Sequence, residues 1–307
     1  MDASAGVEPL PRSGTSIDLA GKVRAYVALT KPRIIELLLI TTVPTMFVAS
    51  TRVPSLGLVL LTLLGGTLAA GGANAMNMVY DRDIDAVMKR TQKRPLVTGE
   101  VTPRAATIFA VLLELGSFAL FATTVNILSG VLALSATAFY VGVYTMWLKR
   151  SSSQNIVIGG AAGAMPVLVG WSAVTDHLGL APVVMFGIIF LWTPPHFWAL
   201  AVRYREDYAN ANVPMLPVVA DLSSVIRQII YYTIALWALS IVLVPVAHMG
   251  LLYLIVAVLS GGLFFFRALT LRRDATPKAA MRLFGYSISY LSVLFIAMGA
   301  DALIRHP

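Results

Sequence analysis

Residues 56–96 read LGLVLLTLLGGTLAAGGANAMNMVYDRDIDAVMKRTQKRPL, and this stretch decides the fold. No charge occurs between Arg52 and Asp81, and about 20 mostly apolar residues suffice for a helix to cross the hydrocarbon core. The run lacks the period-two alternation of a barrel strand. It then meets Asp81, Asp83 and Asp85, followed by a basic cluster. The stretch therefore reads as a membrane-spanning helix whose end carries acids.

The pattern repeats along the chain. Nine apolar segments emerge, centred on 34–50, 56–76, 105–124, 127–147, 156–174, 181–201, 229–247, 250–266 and 283–303. The 307 residues are 58% hydrophobic and only 12% charged, whereas a soluble domain carries roughly 25% charged residues. Soluble globular and disordered classes are excluded. The expected fold is all-α: a polytopic membrane protein with nine transmembrane helices around a central cavity. Residues 1–28 read as a flexible tail and 29–307 as a single membrane-embedded domain. The first apolar run starts too late and runs too long for a secretory signal. With no cysteine, thiolate metal sites, a Cys nucleophile and iron–sulfur clusters are excluded.

Lys and Arg settle the orientation. Of 23, all but Arg52 and Arg305 fall in the tail or in alternate connections on one side. By the positive-inside rule that side and the N-terminus are cytoplasmic, and the C-terminus lies opposite. Alternation this complete supports nine spans, because a missed helix would scramble it. The basic residues serve topology, and no nucleic-acid partner is expected. Most acids follow the same parity. A pore would spread polar groups along its length; here they gather at one mouth.

Asn77, Asp81 and Asp85 are spaced i, i+4, i+8. Each step of four advances about 40° around a helix, so the three share one face over two turns. Oxygen donors on one face near the interface suit Mg²⁺, which takes one or two carboxylates and fills its other positions with water and phosphate oxygens. Asp83 points elsewhere. Lys93 and Arg94 follow, and Arg can grip phosphate with two parallel hydrogen bonds. The bland reading is a solvated acidic helix end. Three aligned polar groups at a membrane boundary are costly, which favours function.

A second stretch closes the sixth span on the same side. Residues 191–218 read LWTPPHFWALAVRYREDYANANVPMLPV. Arg203 and Asp207 are i, i+4 neighbours. Pro194-Pro195 should bend or break the helix and free backbone groups. His196 sits in an apolar run, either hydrogen-bonded between helices or acting as a base or ligand in a cavity. If two four-helix halves pack face to face, Asp81 and Asp85 oppose Asp207. A third cluster is Lys149, Arg150 and Asn155. Gly159-x-x-x-Gly163 marks close helix packing. Lys31 and Arg33 precede the first span, where phosphate binding competes with lipid headgroup contact. Glu36 and Glu114 lie within or near spans without an evident partner.

These residues resemble the UbiA superfamily of intramembrane aromatic prenyltransferases, which carry N-x-x-x-D-x-x-x-D at the end of helix two and a second acidic motif after helix six. Asn77, Asp81 and Asp85 match the first. The resemblance narrows to the heme O synthase branch through LTKPRII at 29–35, YDRDIDAVMKRTQKRPL at 80–96, LKRSSSQNIVIGGAAGAMP at 148–166, PPHFWALAVRYREDYANANVPMLPV at 194–218 and RLFGYSISYLSVLF at 282–295. It covers about residues 25–300. One departure is the second motif: Asp207 is followed four residues later by Ala211, with Asn210 and Asn212 nearby, which argues against a symmetric two-metal site.

The resemblance implies a farnesyltransferase acting on heme b, with farnesyl diphosphate and Mg²⁺. Asn77, Asp81, Asp85 and Asp207 would hold the metal. Lys93, Arg94 and Arg203 would steady the leaving diphosphate, with Lys31, Arg33 and Asn155 as further substrate contacts. Loss of diphosphate would leave an allylic cation, attacked by a heme vinyl group, and water would complete heme O. Heme b is a substrate here, not a cofactor. His196 would position heme or act as base, and Lys149 and Arg150 would pair with the propionates. The implied surroundings are membrane lipid, a bacterial inner membrane, and a heme A synthase or terminal oxidase downstream. Three rivals stay open: a sibling enzyme acting on a quinone precursor or chlorophyll, a secondary transporter with broken helices, and a heme carrier. The acids at one face count against the transporter, and the aligned oxygen donors against the carrier.

Overall fold

Four of the long helices start where the sequence supplies a side-chain cap. The side chains of Ser55, Thr102, Asn126 and Asp221 accept main-chain N–H groups three residues on and open helices at Leu56, Pro103, Ile127 and Leu222. The computed structural model describes residues 18–305, except the side chains of Arg33, Ile34, Leu37, Leu38 and Leu39. Arg33, a candidate substrate contact, thus lies outside the described side chains.

Fourteen helices follow in order among the described residues: α1 (Leu19–Leu29), α2 (Pro32–Ala49), α3 (Leu56–Tyr80), α4 (Arg82–Val87), α5 (Pro95–Thr98), α6 (Pro103–Thr124), α7 (Ile127–Ser151), α8 (Asn155–Thr175), α9 (Leu180–Arg203), α10 (Arg205–Asn210), α11 (Leu216–Val219), α12 (Leu222–Val246), α13 (Leu251–Asp274) and α14 (Pro277–Arg305). Eight of them (α3, α6 to α9 and α12 to α14) are long and apolar enough to cross a membrane. The expected first span falls on α2, where Ile40–Ala49 is apolar.

Sequence neighbours pack side by side in a ring: α2 with α3, α3 with α6, then α7, α8, α9, α12, α13 and α14, which returns to α2. Contacts of α2 with α8 and of α9 with α14 draw the two halves together. The largest buried cluster lies among α8, α9, α12, α13 and α14, around Trp198, Tyr253, Phe264, Tyr290 and Phe295. Asp301 of α14 caps α13, accepting from the Gly250 and Tyr253 N–H groups at 2.7 and 3.2 Å while paired to Arg305 at 2.9 Å.

Two local expectations meet a different outcome, and one feature was not anticipated. Residues 1–17 of the expected tail lie outside the described residues, but 19–28 are helical rather than flexible. Asp18 caps α1 at 2.7 Å, and Ala25 and Leu29 are buried beside Ala75, Met78 and Ala106. The paired prolines do not break α9, which runs continuously to Arg203 with both rings buried; bundle packing compensates for the two missing N–H donors. Finally, α7 is π-helical over Phe139–Leu148, a wider ladder that is rare and gathers at functional sites.

Candidate active site

A cavity of about 560 Å³ opens inside the ring. Near the basic side its wall holds Lys31, Asn77, Asp85, Arg90, Arg94, Tyr140, Tyr144, Lys149 and Tyr208. Deeper in, α3 supplies Gly66, Ala69, Ala70 and Ala73, and α8 supplies Gly159, Gly160 and Gly163. Trp192, His196 and Phe197 of α9 and Phe284 of α14 add aromatic surface. A charged mouth thus gives onto an apolar interior.

The helical register holds through the acidic motif. Asp81 N–H donates to Asn77 O at 2.9 Å, and Asp85 N–H to Asp81 O at 2.8 Å. Asn77, Asp81 and Asp85 are therefore buried on one face, as their spacing requires. The Asn77 amide donates to Asp81 Oδ2 at 2.7 Å and to Thr145 Oγ1 at 3.0 Å. Its oxygen accepts from Lys31 Nζ at 2.7 Å. Lys149 pairs with Asp81, and Arg94 with Asp85 at 2.5 Å. Breaking such a buried pair by removing one partner costs about 3–5 kcal/mol. Asp83 lies on the exposed side, gripped by both terminal nitrogens of Arg150 at 2.7 Å, which holds its carboxyl down at about 2. Burial, and then the charges of Arg94 and Lys149, lower the Lys31 amine to about 7.

One buried oxygen in this set, Asp81 Oδ1, makes no hydrogen bond. Two carboxylates and a carboxamide oxygen on one helix face form a donor set suited to Mg²⁺. Among the described residues no three His or acidic side chains converge on a point, so a metal here would draw its remaining ligands from water or substrate.

The second motif sits apart. The chain turns at Tyr204, between α9 and α10, and Asp207 ends up half-buried and off the cavity wall. Arg203 and Lys93 are exposed and also off the wall. Asn155 is fully buried, and neither of its amide atoms has a hydrogen-bond partner. Lys149 and Arg150, expected at propionates, hold Asp81 and Asp83. His196 does reach the cavity. It is stacked on Trp192 at 4.1 Å and Phe284 at 4.5 Å, and its Nδ1 meets Ser287 Oγ at 2.7 Å.

Several site residues escaped the sequence reading. Tyr140, Tyr144 and Thr145 belong to the π-helical stretch, where the wider ladder presents them beside Asn77; Tyr140 and Tyr144 stack at 5.5 Å. The i, i+4 tyrosine pair was their only signal. Arg90 bridges the two motif loops: its guanidinium donates to Tyr208 Oη at 3.4 Å and lies 5.5 Å from the Tyr204 ring. Ile84 and Met88 pack with Tyr208, Val213 and Met215 beneath that bridge.

Comparison with known proteins gives a consistent picture. The model of the UbiA prenyltransferase family matches residues 38–298. A protoheme IX farnesyltransferase of Streptomyces avermitilis is 54% identical over 290 residues, covering 92% of this chain and 95% of its own. That of Streptomyces coelicolor is 52% identical and covers 98% of each. Among solved structures, a digeranylgeranylglyceryl phosphate synthase superposes with a TM-score of 0.77 at 18% identity, over 92% of this chain and 99% of its own. A UbiA homolog from Archaeoglobus fulgidus, bound to DMAPP and Mg²⁺, gives 0.68 at 20% identity, over 91% and 99%. At those identities the two structures speak for the fold.

Proposed function

We propose, from the premise that this chain belongs to the UbiA prenyltransferase family, that it joins the farnesyl group of farnesyl diphosphate and one water to heme b, giving heme O and diphosphate. The observation that carries the reading is the buried Asn77–Asp81–Asp85 face, of which Asn77 and Asp85 line the mouth of an apolar cavity, in a chain half-identical to protoheme IX farnesyltransferases along nearly its whole length. Residues 29–307 form the catalytic domain of this multi-pass membrane protein. The basic mouth faces the cytoplasm of a bacterial cell, across the inner membrane, and α2 completes nine spans.

Asn77, Asp81 and Asp85 would hold Mg²⁺. When bound, Mg²⁺ neutralises charge on the diphosphate and makes it a better leaving group. Lys31, Arg94 and Lys149 lie within reach of the same mouth and would stabilise the departing charge. Arg90, held on aromatic rings with no carboxylate within 4 Å among the described residues, is a further anion contact. The small residues of α3 and α8 leave room for the isoprenoid chain and the macrocycle. The faces of Tyr140, Tyr144 and Trp192 suit an allylic cation, because aromatic rings attract positive charge. The apolar walls keep stray water from it. His196, with Nδ1 engaged by Ser287, would present Nε2 to heme. The product suits a terminal oxidase directly, or a heme A synthase first.

The deciding experiment is a mass spectrum of heme extracted after incubating the membranes with heme b, farnesyl diphosphate and Mg²⁺. Heme b gaining one farnesyl group and one water supports the reading. Diphosphate release with an aromatic quinone precursor alone would move the chain to a sibling activity.

A further inference from the structure

Glu114 is a carboxyl near the middle of α6, eleven residues past Pro103. Ionisable groups at such depth are expensive and functional by default. Its Oε1 accepts from Thr137 Oγ1 of α7 at 3.0 Å, and Thr137 lines the cavity. The carboxyl reaches Thr137 across α3 at Gly72, where a methyl group would fall 2.6 Å from Oε1. On either side of this contact, Ala73 and Ala136 line the cavity.

We propose that Thr137 and Glu114 form a proton relay for the hydration that completes the product. This rests on the farnesyltransferase reading above. Attack of the heme vinyl group on the prenyl cation leaves a new cation on the inner vinyl carbon. A water oxygen bonds to that carbon with its lone pair. One water proton passes to Thr137 Oγ1 as the Thr137 proton passes to Glu114 Oε1, leaving a neutral carboxylic acid. No electrons are exchanged, and the proton returns to solvent after product leaves.

Depth supports the assignment. Gly72 lies five residues before Asn77 and nine before Asp81, so the relay stands about 8–14 Å inward from the oxygen donors at about 1.5 Å per residue. The reacting prenyl carbon is bonded to the diphosphate, and the vinyl carbons lie just beyond it. Chemistry also separates Thr137 from two other threonines on the wall. Thr62 and Thr193 donate to main-chain carbonyls of their own helices, Leu58 O and Ile189 O, which cannot take up a proton. Thr137 donates to a carboxyl group, whose oxygen can take up a proton.

The test compares wild type with Glu114→Gln, Glu114→Asp and Thr137→Val in full-length protein given heme b, farnesyl diphosphate and Mg²⁺. Diphosphate release and the masses of extracted heme are read together. Glu114→Gln should release diphosphate near the wild-type rate while the hydrated product falls about a hundredfold. In its place should appear a heme lighter by one water, formed when the cation loses a proton from its neighbouring carbon. Glu114→Asp should restore part of the hydrated product, and Thr137→Val should repeat the shift should Glu114→Gln fail to fold. Parallel loss of diphosphate release and product in both variants would make the pair a helix clamp and overturn the relay. So would undiminished hydrated product from Glu114→Gln. A wild type that farnesylates no heme would overturn the reading beneath it instead.

Discussion

Lys31 donates to the side-chain oxygen of Asn77 at 2.7 Å from a backbone held at φ +52°, a left-handed conformation that lysine rarely adopts. The turn between α1 and α2 is thereby pinned to the acidic end of α3. Strain of this kind costs on the order of 1 kcal/mol and persists at functional sites. Lys31→Gly should relieve it and hold or raise the melting temperature, yet lower kcat/KM for farnesyl diphosphate by roughly tenfold or more, the value of one charged contact. Thermal melts and steady-state kinetics on one preparation check both. A stable variant with undiminished kcat/KM would remove Lys31 from the substrate contacts.

Asp81→Asn preserves shape while removing one ligand charge. Turnover should fall by about two orders of magnitude or more, and Mn²⁺ binding measured in its place should weaken. The fold should survive, since the amide can still accept from Lys149. Normal turnover would sink the metal assignment.

Gly163 lines the cavity, and a Cβ there would meet nothing within 4 Å. Gly163→Leu should therefore fold normally and fill space that the isoprenoid needs. Activity with the fifteen-carbon donor should drop at least about tenfold relative to a ten-carbon donor, since a single methylene of pocket volume is worth about ten- to two-hundredfold. Equal losses for both donors would place the chain elsewhere.

His196→Ala should weaken heme binding more than diphosphate binding, followed by absorbance titration of heme and by KM for the donor. The ring is stacked on Trp192 and Phe284, so truncation also leaves a hole; His196→Phe keeps the stack. Unchanged heme titration in both variants would leave His196 a packing residue.

Asp221 caps α12 and is held at about 2 by the hydroxyl of Ser223 and the N–H of Ser224. Its folded value lies below the ordinary 3.8, so its stabilisation is present above that pH and is lost as pH falls toward 2. Asp221→Asn should keep the cap and flatten that part of the acid-stability curve. Melting temperature between pH 5 and 2 measures it.

The spans were legible because charge-free runs alternate with basic and acidic connections, and the Asn77–Asp81–Asp85 face because i, i+4 spacing survives the junction of α3 and α4. The place of Asp207 was not legible, since it depends on a turn at Tyr204 that no local pattern announces. Nor was the helix over 19–28, which is held by burial against α3 and α6 rather than by its own periodicity. Glu114 looked isolated because its partner lies on the next helix, 23 residues away. Arg90 counted only as topology until its aromatic seat was visible.

The wide-laddered stretch of α7 gives the site a tolerance of chain length that an ordinary helix lacks. An ordinary helix advances about 100° per residue, so one extra residue would turn everything after it by that angle. A ladder with more residues per turn takes up the extra residue within Phe139–Leu148 itself. Thr145 and Lys149 keep their places beside Asn77 and Asp81 across that stretch.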